Sequence, residues 1–307
     1  MIMNTTRQFV FKKSPGGFTL VELLVVLAVI MVLAMLLLPA IAATKPNSQG
    51  FQCQNNQKQL TLAWQMYAED NADILPPNDY PYTTAYRTQT TAAKLQLKNW
   101  VVGTMEQPVD VLSPQELTDP NTLLSAYVTN AAVYRCPADN YINPLAHTFN
   151  VRSYSMNSAV GTIWHTFYAN GGVPPIGSPV QGGWLSGASF NASQTTWLTY
   201  GKMSSLSRPG PANTFVFMEE NPLSINDGIM QVAAAAAPGA TFLIDFPAGN
   251  HDGGGSISFA DGHVITHRWL DSRTFTPISL GMGGTQTPQS PDNVDCFYLA
   301  PITSAPR

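Results

Sequence analysis

Charge is what this sequence most lacks. Only 11% of its 307 residues are Asp, Glu, Lys or Arg, where a globular chain carries about 25%. The 15 basic residues do not outnumber the 19 acidic ones, and the net charge is −4. A chain without a basic excess is not built as a general nucleic-acid binder. It is not a disordered polyelectrolyte either, because 44% of it is apolar. Cysteine is scarce: Cys53, Cys136 and Cys296 are too few for a disulfide scaffold and lack the paired spacing of a zinc motif. No P-loop, dinucleotide fingerprint, nucleophile elbow or His-Glu-x-x-His run occurs. The expectation is a protein that is not an enzyme.

What the chain does have is a sharp change of character near its start. Residues 1–17 carry Arg7, Lys12 and Lys13 and no acid. An apolar run follows from Phe18 to Leu38, interrupted only by Thr19 and Glu22. As a helix, those residues would span about 31 Å at 1.5 Å each, enough to cross a hydrocarbon core. The basic flank predicts that the start stays in the cytoplasm and the rest is exported. A secretory signal would have a shorter apolar region with a small-residue cleavage site after it. A carboxylate such as Glu22 inside an apolar helix is costly unless it finds a partner, so it is read as functional.

Beyond Pro39, the pair Pro46 and Gly50 predicts a kink or melted stretch over 44–50. Helical periodicity returns over 51–72, where Leu60, Ala63, Trp64 and Tyr67 form an apolar stripe that should pack on a sheet. Pro76-Pro77 ends it. Short β-branched and aromatic runs read as strands: Trp100-Val102, Thr214-Met218 and Ile257-Trp269. Residues 78–98 and 165–200 read as long loops. The division is therefore a basic start at 1–17, an apolar membrane-length helix at 18–40, an amphipathic continuation at 41–75, and a β-rich domain at 76–307.

At His251-Asp252-Gly253-Gly254-Gly255 and Asp261-Gly262 the sequence predicts a hairpin. Asp261-Gly262 suits a two-residue type I′ turn, which would set Phe259 opposite Val264 and Ala260 opposite His263. His251 would then lie near His267. Turn chemistry alone explains Asp261 and the glycines. His251, Asp252 and His267 are also metal-ligand types, and Glu219, Glu220 and Asp227 can add oxygen ligands for calcium. Glu219 and Glu220, as strand neighbours, should point to opposite faces. The expectation is no cofactor, with calcium as the alternative.

Gly16-Gly17-Phe18-Thr19-Leu20-Val21-Glu22 resembles the processing site of type IV prepilins and type II secretion pseudopilins. The resemblance implies cleavage between Gly17 and Phe18 by a prepilin peptidase, N-methylation of Phe18, and a subunit-assembly role for Glu22. Cys53-Gln54-Asn55-Asn56-Gln57-Lys58-Gln59-Leu60, Tyr134-Arg135-Cys136-Pro137-Ala138-Asp139 and Ser153-Tyr154-Ser155-Met156-Asn157 sharpen it. Met218 to Gly228 and the His-x9-Asp-Gly spacing of His251, Asp261 and Gly262 complete it. These resemble prepilin-like proteins of planctomycete and verrucomicrobial type. The implied fold is α+β and pilin-like, a long amino-terminal transmembrane helix packed on an antiparallel sheet with an enlarged, loop-rich carboxy-terminal domain. Calcium has a precedent among major pseudopilins.

The implied function is a structural subunit of a type IV pilus or type II secretion-like filament. It would be single-pass in the inner membrane, with its large domain periplasmic or extracellular. The implied partners are the prepilin peptidase and methyltransferase, other pilin or pseudopilin subunits, the inner-membrane assembly machinery and membrane lipid. Two rivals stand beside it. One is a membrane-anchored carbohydrate- or protein-binding module, suggested by loop aromatics (Tyr80, Tyr82, Tyr86, Trp164, Tyr168, Trp184). The other is a metal-dependent hydrolase using the His251 region. Export permits a disulfide, and Cys53–Cys136 is the favoured pair. The alternative is that all three cysteines are small buried apolar groups.

Overall fold

The computed structural model describes residues 19–78, 98–163, 175–187, 196–276 and 291–307, with side chains between positions 34 and 48 left aside except Met35. It divides into two compact units, Met1–Lys45 and Pro46–Arg307. The loop aromatics at 80, 82, 86, 164 and 168 lie outside the described residues.

The first unit carries the start of helix α1 (Leu20–Asp70). A reciprocal capping box closes its amino end. The Thr19 N–H and hydroxyl both donate to Glu22 Oε2, at 2.8 and 2.7 Å, and the Glu22 N–H donates back to Thr19 Oγ1. These bonds satisfy main-chain donors that a helix start otherwise leaves open. Leu20–Leu33 and Met35 are exposed. Among the described residues no helix is long and apolar enough to cross a membrane; the apolar run of the sequence extends past the described side chains at both ends. Helical backbone continues through Pro39, Pro46 and Gly50, so the melted stretch expected over 44–50 is not found. A proline deletes one main-chain hydrogen bond, and the turns on either side keep theirs.

The second unit is built on a five-stranded sheet. Its strands are β3 (Tyr154–Asn157), β4 (Phe215–Glu219), β5 (Ile229–Met230), β6 (Gly254–Phe259) and β7 (Val264–Arg268), in the order β5-β3-β4-β6-β7. The β3–β5 pair is parallel and the others antiparallel, so the sheet is mixed rather than the antiparallel sheet expected. Two further strands, β1 (Ile142–Asn143) and β2 (Thr148–Phe149), form a small hairpin of their own. Helix α2 (Pro108–Val111) is a single turn, and helix α3 (Val294–Thr303) comes near the carboxy terminus. Trp100-Val102 forms no strand; its neighbour Asn99 makes an isolated bridge to Thr122.

Every residue of β3, β4 and β6 is buried, because both faces of the sheet are covered. On one face the predicted stripe of α1 (Leu60, Ala63, Trp64) packs with Tyr154, Met156, Val216 and Phe217. On the other, Leu299 of α3 packs with Phe215, Met218, Ile257 and Phe259. The helix face is not purely apolar. Five side-chain amides of α1 donate across to other elements: Gln49 to Pro137 O, Gln54 to Thr266 Oγ1, Asn56 to Arg135 O, Gln57 to Ser256 O and Gln65 to Ala260 O, at 2.9–3.1 Å.

The β6–β7 hairpin differs from expectation by one residue. Val264 pairs with Ser258 and Ile265 with Ile257. The Gly262 N–H donates to Phe259 O, and only Gly262 of the Asp-Gly pair has positive φ, +94°. This is a four-residue turn followed by a glycine bulge, which needs one left-handed residue where a type I′ turn needs two. The shift puts Ile257 and Ile265 together on the α3 face and Ser256 with Thr266 on the α1 face.

Leu60 is fully buried, and Leu62, two residues on and so on the opposite side of the helix, is 55% exposed. Leu60→Ala should therefore cost about 2–5 kcal/mol and Leu62→Ala less than about 0.5 kcal/mol. Denaturant titration of the two variants checks this, and equal losses would contradict the packing of α1 on the sheet.

Candidate functional site

Four stretches of chain meet at one point below the α1 face of the sheet. Cys53 is carried by α1. Cys136 follows the short 3-10 turn Ala131–Tyr134, and Glu219 ends β4. His251 precedes β6 in a tight turn. There Asp252 and Gly253 both have positive φ, +53° and +77°, and His251 and Gly254 exchange two main-chain hydrogen bonds of 3.0 Å. Paired positive φ values with flanking reciprocal bonds are type I′ geometry. The expected turn type thus occurs at the first Asp-Gly of the segment rather than at Asp261-Gly262.

The functional atoms converge closely. His251 Nε2 lies 3.1 Å from Glu219 Oε2 and 3.5 Å from Cys136 Sγ. With Cys53 Sγ included, all four atoms fall within 4.8 Å of one another. Cys53, Cys136 and Glu219 have no solvent exposure, and the His251 side chain has 8%. The His251 ring borders a surface depression lined also by Gly50, Gln54, Asn250 and Asp252.

Further groups point at this cluster. The Ser256 hydroxyl donates to Cys53 Sγ and the Tyr154 hydroxyl lies against the same sulfur, both at 3.2 Å. The Ala138 N–H donates to Cys136 Sγ at 3.4 Å. The Ser256 N–H donates to Glu219 Oε2 at 2.8 Å, and Asn250 donates to its other oxygen. Burial opposes ionisation of Glu219, but the hydrogen bond and charge of His251, with Cys136 and Ser256, hold its carboxyl below the ordinary value. Burial likewise opposes charge on His251; hydrogen bonding to Cys136 and Glu219 and the Glu219 charge overcome it and push the ring up to about 10. Burial raises the Cys53 thiol; its hydrogen bond with Cys53, then burial, raise Cys136.

The structure brings Cys53 and Cys136, the favoured disulfide pair, within 4.8 Å of each other and holds both as thiols. Cys296 is a separate buried thiol that donates to Phe242 O and packs with Leu243 and Phe246.

The six residues named as candidate metal ligands do not come together in one place. Glu219 and His251 belong to the cluster with the cysteines, while Asp252 sits in the turn beside it. Glu220 accepts from the hydroxyls of Ser155 and Ser224. It adjoins two other buried acids, Asp227 and Asp245, and Arg152, which donates to Asp227 O. His267 is stacked on Tyr298 with ring centroids 3.8 Å apart. Asp261 accepts from the His263 N–H and lies 2.6 Å from its Nδ1, and Gly262 supplies the left-handed position; both serve the hairpin.

Gly17 and Phe18 lie outside the described residues. Glu22 is described, and its part in the capping box was missed from the sequence, although the Thr-x-x-Glu spacing before an apolar run signals it.

Residues 12–38 match the family model described as the prokaryotic N-terminal methylation motif. Comparisons with curated proteins and with solved structures give no match. The motif marks an amino terminus of prepilin type, and it covers that segment alone.

The buried acids generate a pH dependence. Burial dominates at Asp227, offset in part by the Ile229 N–H and Arg152 and reinforced by Glu106, and pushes its carboxyl from 3.8 up to about 6. The folded form then holds the proton more tightly than the unfolded chain. Its contribution to stability is full below pH 3.8 and is lost as pH rises through about 6. Melting temperature measured across that window should fall less steeply in Asp227→Asn than in the wild type, and identical slopes would contradict the assignment.

Proposed function

We propose that the chain is a pilin-like structural subunit of a type IV pilus or type II secretion-like filament. The match of residues 12–38 to the methylation motif carries this reading. Within that segment, Gly17-Phe18 is the cleavage point and Phe18 the methylated residue. The apolar run Phe18–Leu38 anchors the precursor once across the inner membrane and later packs among neighbouring subunits. The unit Pro46–Arg307 is the exported part. The chain has no catalysis of its own. It is a substrate of a prepilin peptidase and methyltransferase, and its other partners are filament subunits, the inner-membrane assembly machinery and lipid.

Glu22 has two jobs in this reading. Before cleavage it closes the capping box with Thr19. In the filament its carboxylate meets the terminal ammonium of a neighbouring subunit, a charge partner in an apolar setting. Gln at this position would keep the capping geometry and lose the charge.

The test is mass spectrometry of the amino-terminal peptide, together with recovery of the chain in sheared filaments. Wild type should begin at N-methylated Phe18, and Gly17→Ala should retain its leader. Glu22→Ala and Glu22→Gln should both be processed and both be lost from filaments. A different mature terminus would overturn the processing step. Normal assembly of Glu22→Gln would overturn the charge pairing and leave Glu22 as a cap only.

A further inference from the structure

We propose that Cys53, Cys136, Glu219 and His251 bind a zinc ion that fastens helix α1 to the sheet. This does not depend on the pilin reading, since all four residues lie in the unit Pro46–Arg307.

The donor set selects the metal. Two sulfurs rule out calcium and magnesium, which take oxygen ligands. Two cysteines, one imidazole nitrogen and one carboxylate oxygen are all ligand types of tetrahedral zinc. The distances fit as well. Ordinary Zn–S, Zn–N and Zn–O bonds at tetrahedral angles place N and S about 3.6 Å apart and N and O about 3.3 Å apart. Between His251 Nε2 and Cys136 Sγ the structure has 3.5 Å, and between His251 Nε2 and Glu219 Oε2 it has 3.1 Å.

The surroundings supply hydrogen-bond donors to both sulfurs. The Ser256 hydroxyl donates to Cys53 Sγ and the Ala138 main-chain N–H to Cys136 Sγ. Hydrogen bonds to an ionised acceptor are about twice as strong as neutral ones, and such outer donors orient the ligands of metal sites. A Cys53–Cys136 bond would leave those donors on weak acceptors and Glu219 with His251 as a buried pair of no further use. Four protein ligands would fill every position of tetrahedral zinc, and three of them are fully buried. That is a closed site, structural in kind. Its ligands come from α1, the Cys136 turn, β4 and the turn before β6, so binding free energy becomes folding free energy.

The experiment uses the full chain in detergent, reduced and stripped of metal, then titrated with Zn²⁺ or Co²⁺. One zinc per chain should bind, and cobalt should give thiolate-to-metal charge-transfer absorption with the intense visible bands of a tetrahedral site. Cys136→Ser and His251→Gln should lose stoichiometric zinc, while Cys296→Ser keeps it. Ser256→Ala should weaken zinc about tenfold. If the ligand variants do not fold, the wild-type cobalt spectrum decides. No zinc uptake, a cobalt spectrum without the thiolate band, or zinc retained by the Cys53→Ser/Cys136→Ser double variant would each overturn the site. So would a Cys53–Cys136 disulfide in peptide maps of the chain isolated without reductant.

Discussion

The second half of α1 can lie on the sheet in only one register, and the amides on its buried face impose this. An apolar stripe alone would tolerate sliding by a turn, since the ridges of a helix repeat along its axis. Gln49, Gln54, Asn56, Gln57 and Gln65 instead each need a particular acceptor on the turns and strands below. A slip of one turn, about 5.4 Å, would leave buried amides without partners. Ser256 links this seam to the cluster beside it. Its carbonyl accepts from Gln57, its hydroxyl donates to Cys53 and its N–H donates to Glu219. The convergence of thiols, carboxylate and imidazole is therefore a consequence of where the helix is held.

A fold with short strands and long connections must satisfy its main chain by other means. Among the described residues seven acids (Asp110, Asp139, Glu219, Glu220, Asp227, Asp245 and Asp295) are buried. All but Glu220 accept a hydrogen bond from a main-chain N–H: Thr104 for Asp110, Tyr141 for Asp139, Ser256 for Glu219, Ile229 for Asp227, Gln231 for Asp245 and Leu270 for Asp295. These carboxylates stand in for missing strand partners. The scarcity of charge in the composition understates how little acid remains on the surface, because much of what is present pins loops from inside.

Periodicity revealed the apolar stripe of α1 and the strands β4, β6 and β7, since those signals are local. The opposed faces of Glu219 and Glu220 followed from strand alternation. The hairpin register did not follow, because two Asp-Gly pairs stand nine residues apart and each fits a type I′ turn; only the packed backbone shows that Asp252-Gly253 takes it. The island resemblance paired Cys53 with Cys136, but nothing in the spacing joined Glu219 and His251 to them. Four residues from separate elements meet only after the helix has docked, and no linear pattern encodes that. At Pro46, where a kink or melted stretch was expected, the backbone is helical, and the helix on either side outweighs one residue's local cost.

The five amide bonds that seat α1 involve no ionisable side chain. Their donors are amides and their acceptors are carbonyls and a threonine hydroxyl. Ion pairs weaken as salt screens them, and carboxylates and imidazoles change state with acidity. Bonds between neutral dipoles do neither. Those five contacts should therefore hold across wide swings in salinity and acidity, whatever the titratable cluster beside them does.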